Sequence, residues 1–109
     1  MQLAVNQNSE HTVLAVSGEI DLATSPQLDE AIVEAINQEI SHLTIDLTDV
    51  TFLDSSGLSV IVKALKRSRE KNAIFDVVAS NERVLKVFTI TGLNTVITIY
   101  PDLSAVPSA

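Results

Sequence analysis

The sequence contains no cysteine and no tryptophan, and only three glycines and three prolines among 109 residues. Without cysteine the chain forms neither a disulfide framework nor a thiolate metal site, so nothing in its composition indicates secretion. Its two histidines, His11 and His42, lack the helical i, i+4 spacing of a metal-binding pair, and its three separated glycines cannot build a phosphate-cradling loop. We therefore expect neither a metal site nor a cofactor.

Long apolar segments are also missing. The apolar runs are only a few residues long, whereas a helix that spans a bilayer needs roughly 20. Met1 is not followed by the basic and then apolar residues of a leader. The hydrophobic content of 46% is nevertheless enough for a compact core. We expect one domain, residues 1–109, located in the cytoplasm without a membrane partner.

Positive charge is absent from the first 62 residues, which contain no lysine or arginine. The same segment carries ten acids: Glu10, Glu19, Asp21, Asp29, Glu30, Glu34, Glu39, Asp46, Asp49 and Asp54. Five bases then fall between Lys63 and Lys71, without interleaved aromatic residues. This cluster is typical of a solvated helix face with cations near its C-terminus, and it is too small to indicate direct nucleic-acid binding.

Alternating periodicities predict an α/β fold. Two short strands, joined at residues 6–10, read as a hairpin, and the Thr24-Ser25-Pro26 segment reads as the start of a helix. Strand-like runs at residues 43–47, 73–79 and 96–100 then alternate with helical patterns. The predicted order is β-β-α-β-α-β-α-β, in a mostly parallel sheet with an N-terminal hairpin, because strands separated by helices pair through crossovers.

The stretch "VTFLDSSGLSV" (residues 50–60) places an acid, two hydroxyls and a glycine between apolar runs. Such residues end a strand and cap a helix. A serine at a helix N-terminus is equally a place where a phosphate is tolerated, with amide groups of the first turn nearby to receive it. On this local pattern alone both interpretations stay open. Phe52 and Leu58 of this stretch are expected to pack under the sheet, together with Ile61, Val62 and Leu65 after it.

Three motifs together resemble the STAS domain of the bacterial anti-sigma factor antagonist type. They are "GEIDLATSPQLDEAI" (18–32), "LTIDLTDVTFLDSSGL" (43–58) and "SNERVLKVFTITGL" (80–93), and they occur in the family's order and spacing. The resemblance covers nearly the whole chain. The family's C-terminal amphipathic helix is expected to be short or absent, because residues 101–109 have few large apolar side chains.

The resemblance implies that the protein binds an anti-sigma factor that is itself a serine kinase, and thereby frees a sigma factor. Ser55 matches the family's phosphate acceptor, and phosphorylation there would block binding. A serine phosphatase is a further partner that the resemblance allows. The surface implied for partner binding comprises Asp21, Asp54, Ser55, Ser56, Gly57 and Ser59. Within it, Asp54 is interpreted as a cap, and Gly57 as a point where a partner's backbone could approach.

Alternatives accompany this hypothesis. Asp21 is equally interpreted as a loop carboxylate that caps the region of Thr24. The protein could also be a non-signalling STAS scaffold or a transporter-associated subunit, in which Ser55 is only a cap. A hydrolase that uses Ser55 is disfavoured, because no Gly-x-Ser-x-Gly elbow surrounds it and neither histidine is spaced as its base. Both histidines are instead expected at the surface or at a sheet edge.

Overall fold

The computed structural model describes residues 1–107 and shows a five-stranded sheet with three α-helices. In chain order the elements are β1 (Gln2–Asn8), β2 (His11–Ile20), α1 (Ser25–Ile36), β3 (His42–Leu53), α2 (Ser55–Glu70), β4 (Ile74–Val78), α3 (Glu82–Ile90) and β5 (Thr98–Tyr100). Two short 3₁₀ turns, Leu93–Thr95 and Leu103–Ala105, follow α3 and β5.

The strands lie in the order β1-β2-β3-β4-β5. The hairpin pair β1 and β2 is antiparallel, and every other neighbouring pair is parallel. This confirms the predicted fold class and element order. Because β2 and β3 are parallel, their carboxyl ends meet at the same edge of the sheet, where each is followed by a helix.

The strand β3 is the centre of the core. Its residues Leu43, Ile45 and Leu47 are fully buried and belong to one hydrophobic cluster with side chains of all three helices. Beyond Leu47 strict alternation is lost where the pairing with β2 shifts register, and only Val50 and Leu53 are buried. Phe52 lies between them and is 48% exposed. The expectation that Phe52 packs in the core is therefore wrong.

On α2, the core face differs from the predicted one. Ile61 and Leu65 are buried as expected and Leu58 packs against the core while half-buried, but Val62 is half-buried and does not belong to that cluster. Val60 and Ala64 complete the buried face instead. The buried face of α2 therefore lies on partly different residues from the predicted one.

The chain beyond β5 ends, within residues 1–107, in a single 3₁₀ turn, Leu103–Ala105. This agrees with the expected shortening of the C-terminal helix, and residues 108–109 lie outside the described part. Of the residues described, none belongs to a helix that is both long and apolar enough to cross a membrane.

Gly57 fixes how closely the start of α2 approaches the sheet. A Cβ atom placed on it would lie 2.5 Å from Cγ2 of Ile20 and 2.6 Å from Cδ1 of Leu53. Both neighbours are buried core residues, so they cannot easily move aside. The absence of a side chain at Gly57 therefore lets α2 begin directly against the ends of β2 and β3.

We expect Gly57→Ala to destabilise the protein by about 1–3 kcal/mol, because overpacking outweighs the gain in helix propensity of about 1 kcal/mol. Urea unfolding measures the difference. Ser59→Ala, an exposed change on the same helix, serves as the control and should change the unfolding free energy by less than about 0.5 kcal/mol. A Gly57→Ala variant more stable than the wild type would contradict the close packing.

A buried polar network crosses the other face of the sheet, near the amino ends of the parallel strands. His11 and His42 are register partners, and their rings stack with centroids 3.8 Å apart. His42 is only 2% exposed. Thr44 and Asp76 are likewise register partners and are both buried. His42 is therefore not the surface or edge residue that the sequence led us to expect, whereas His11 stays partly exposed.

Hydrogen bonds in this network have a defined direction. Thr44 donates its hydroxyl hydrogen to Oδ1 of Asp76 at 2.5 Å, and Nε2 of His42 donates to Oδ2 of Asp76 at 2.7 Å. Because the one hydroxyl hydrogen of Thr44 is used, its oxygen accepts from Nε2 of His11 at 2.8 Å. The network assigns the proton of the His11 ring to Nε2, and it ties β2, β3 and β4 together.

Burial lowers the pKa of His11, and the positive charge of a protonated His42 lowers it further, although Asp76 opposes both effects. A histidine whose pKa is lower in the folded protein binds its proton more readily in the unfolded chain. The stability that comes from this difference is present above the unfolded pKa of about 6.5, and it is lost as the pH falls through the folded pKa.

We expect the urea-unfolding free energy to decrease between pH 7.5 and about pH 5.5, and His11→Gln to remove part of that decrease. Glutamine keeps an N–H donor for Thr44 but does not titrate. If the unfolding free energy of His11→Gln depended on pH as that of the wild type does, the stacked imidazole of His11 would not contribute to the pH dependence of stability.

Candidate functional site

The candidate site lies at the carboxyl edge of the sheet, where the loop after β2 and the start of α2 meet. The two segments are joined by the backbone, because the amide of Asp54 donates to the carbonyl of Ile20 at 3.2 Å. Register pairing of Ile20 with Leu53 aligns the two strand ends. Residues 21–24 and 54–59 are thereby brought side by side.

Asp54 caps the N-terminus of α2. Its Oδ1 accepts hydrogen bonds from the amide of Ser56 at 2.9 Å, the amide of Gly57 at 3.2 Å and the hydroxyl of Ser56 at 2.5 Å. The Ser56 hydroxyl is the main cause of a lowered pKa at Asp54, and the amides of Gly57, Ser56 and Leu22 add to it against an opposing desolvation. Asp54 therefore stays ionised well below neutral pH.

The cap changes what the helix N-terminus can offer. The sequence suggested that first-turn amides would be available to a phosphate, but those of Ser56 and Gly57 are bonded to Asp54. A negatively charged group on Ser55 would lie beside an ionised carboxylate. Repulsion between the two would keep such a group directed toward solvent.

The three serines of the segment have different surroundings. Ser55, the first residue of α2, is exposed. Ser56 is half-buried and its hydroxyl donates to Asp54. Ser59 is exposed one turn further along the helix. Among these hydroxyls, the one at Ser55 combines exposure with a position at the very start of the helix.

Asp21 shapes the loop between β2 and α1. Its Oδ1 accepts from the amides of Ala23 at 3.0 Å and Thr24 at 3.1 Å, and its carbonyl accepts from the amide of Ser25 at 2.8 Å. The hydroxyl of Thr24 in turn accepts from the amide of Asp21 at 2.9 Å. The capping interpretation of Asp21 therefore describes its contacts in the free protein, and its contact with a partner stays a prediction.

Gly57 also lies at the carboxyl edge of the sheet, but it is buried against the protein's own Ile20 and Leu53. This corrects the expectation that a partner's backbone approaches it. The structure also places Leu22, which the sequence analysis did not single out, in the loop beside Asp54, with 78% of its surface exposed. No periodicity marks an apolar loop residue as exposed, so only the folded loop shows it.

Comparison with a protein-family model gives a match to the STAS domain over residues 2–106. The chain is 37% identical over 93 residues to the anti-sigma-B factor antagonist of Listeria monocytogenes, covering 85% of this chain and 82% of that protein. It is 35% identical over 95 residues to the anti-sigma-B factor antagonist of Bacillus subtilis, covering 87% and 86% of the two chains.

A solved structure, an anti-sigma factor antagonist from Mycobacterium paratuberculosis, has the same architecture. It superposes with a TM-score of 0.88 at 32% identity, over 94% of this chain and 87% of that chain. The matched family model spans nearly all of the described residues, and the fold and the motif order agree with it. The chain belongs to the STAS domain family.

Proposed function

We propose that the protein is an anti-sigma factor antagonist of a partner-switching pathway. In its unphosphorylated form it binds an anti-sigma factor, a cytoplasmic serine kinase, which then releases a sigma factor. Phosphorylation of Ser55 blocks this binding, and a serine phosphatase reverses the block. The protein itself has a binding function and no catalytic one. Relatives named anti-sigma-B factor antagonist, similar over most of their length, support this role.

The single observation that carries the proposal is the contrast between Ser55 and Ser56. A kinase needs an acceptor hydroxyl that can enter its active site. Ser55 is exposed at the first position of α2, whereas the hydroxyl of Ser56 donates a 2.5 Å hydrogen bond to the ionised Asp54. Phosphorylation of Ser56 would first have to break that bond, so Ser55 is the favoured acceptor.

The same geometry explains how a phosphate would act. A phosphoserine adds a charge of about −1.5 to −2, and the Asp54 carboxylate already holds two amides of the first turn. The phosphate therefore remains at the surface that the partner must cover. Its desolvation and bulk oppose complex formation, while the core beneath α2 is untouched.

The partner can be identified directly. We expect the unphosphorylated protein, used as bait in its native cytoplasm, to recover an ATP-binding anti-sigma factor. The recovered protein is then purified and tested for phosphorylation of the bait with ATP. Binding without any phosphorylation would instead favour the non-signalling scaffold.

We expect Ser55→Asp to weaken binding to the purified anti-sigma factor strongly, and Ser55→Ala to bind like the wild type without accepting phosphate. Misplaced charge at an interface costs several kcal/mol, and about 4 kcal/mol corresponds to roughly a thousandfold loss of affinity. Titration calorimetry gives the affinities, and intact mass after kinase treatment gives the phosphate count.

Ser56→Ala is the matched control, because it keeps the acceptor and removes only the hydroxyl that bonds to Asp54. It should still be phosphorylated, although the weaker cap should make α2 less stable. Peptide mapping that places the phosphate on Ser56 or Ser59 would overturn the assignment, as would wild-type affinity in Ser55→Asp.

A further inference from the structure

Leu22 is the most exposed large apolar side chain of the described residues, at 78%. It lies in the loop after β2, two residues beyond Ile20, whose carbonyl accepts from the amide of Asp54 at 3.2 Å. The cap residue of α2 and Leu22 are thus adjacent, and Ser55 follows that cap directly. Exposing an apolar side chain to water next to the proposed phosphate acceptor is unfavourable in free energy. A binding partner that buried this side chain would remove that penalty.

Hydrogen bonds hold the backbone of the loop that carries Leu22 in place. Asp21 on one side accepts two amides through its carboxylate, and Thr24 on the other bonds back to the amide of Asp21. The carbonyl of Glu19 accepts from the Thr24 hydroxyl at 3.1 Å. These bonds fix the backbone on both sides of Leu22, so little conformational entropy is lost when the side chain is bound.

The charge around Leu22 indicates the chemistry of its partner. Glu19 is exposed, Asp21 is half-buried, and Asp54 is held ionised. Neither lysine nor arginine occurs in residues 1–62, which include the loop, β2 before it and α1 after it. An apolar side chain within an acidic surround is complementary to an apolar pocket with a basic rim.

We propose that Leu22 is an anchor residue of the docking surface, and that it inserts into an apolar pocket rimmed by lysine or arginine on the anti-sigma factor. This inference rests on the proposed function and extends it, because it assigns the contact in this loop to Leu22 and gives Asp21 the role of positioning it. The acidic surround guides the approach, and the leucine supplies apolar contact area.

Replacing Leu22 by serine tests the anchor with the purified anti-sigma factor and the unphosphorylated protein. We expect Leu22→Ser to bind roughly tenfold to hundredfold more weakly, as burial of one leucine side chain predicts. Leu22→Met should retain most of the affinity, since its side chain remains apolar and of similar volume.

Ile90→Ser is the matched control, because Ile90 is 72% exposed but lies at the far end of α3. That helix starts next to the carboxyl edge, where Asn81 donates to the carbonyl of Val50, and runs about 13 Å away from it at 1.5 Å per residue. Ile90→Ser should bind like the wild type, and the unfolding transitions of both serine variants should match that of the wild type.

The basic rim is tested by the association rate, which should fall as NaCl is raised. An association rate independent of salt would contradict a basic rim on the partner's pocket. Wild-type affinity in Leu22→Ser would contradict the anchoring role of Leu22 but would leave the proposed function standing. Equal losses in Leu22→Ser and Ile90→Ser would also overturn the anchor. Failure of the wild-type protein to bind any anti-sigma factor would overturn the proposed function and this inference together.

Discussion

The carboxylate of Asp54 holds the candidate site together. One oxygen accepts two amides and one hydroxyl of the first turn of α2, so the helix begins at Ser55 and at no neighbouring residue. This start places Gly57 where α2 meets the ends of β2 and β3. It also leaves Ser55 exposed while the hydroxyl of Ser56 is engaged, and the proposed phosphorylation at Ser55 depends on that contrast.

The cap can form only because α2 lies close to the ends of β2 and β3. Gly57 permits this approach, since any side chain there would meet Ile20 and Leu53. The end of β2 carries the loop from Asp21 to Thr24, and the amide of Asp54 joins the start of α2 to that end through the carbonyl of Ile20. At this edge, the contacts that pack α2 against the core therefore also fix the positions of the exposed side chains.

The proposed phosphorylation needs no rearrangement of the fold. Ser55, the proposed acceptor, is the exposed first residue of a 16-residue helix whose apolar face is embedded in the core, so a charge added there would change the surface without changing the packing. The acidic character of residues 1–62 strengthens the effect, because added negative charge falls where negative charge already dominates. At the opposite end of the sheet, the network of His11, His42, Thr44 and Asp76 ties the strands together independently of this surface.

Much of this was determined by the sequence itself. Periodicity defined the order of strands and helices, because the spacing of apolar residues follows the geometry of each element. The Asp-Ser-Ser-Gly segment predicted a helix start, because the chemistry of capping is local, and the phosphate acceptor that the family resemblance implies there stays a prediction. The tertiary structure alone decided which side chains are exposed: it turned Phe52 outward, buried His42 against Asp76, and left Leu22 at the surface. These outcomes depend on register and on contacts between residues far apart in the chain, such as Glu19 with Phe52 and Thr44 with Asp76, and no local pattern contains that information.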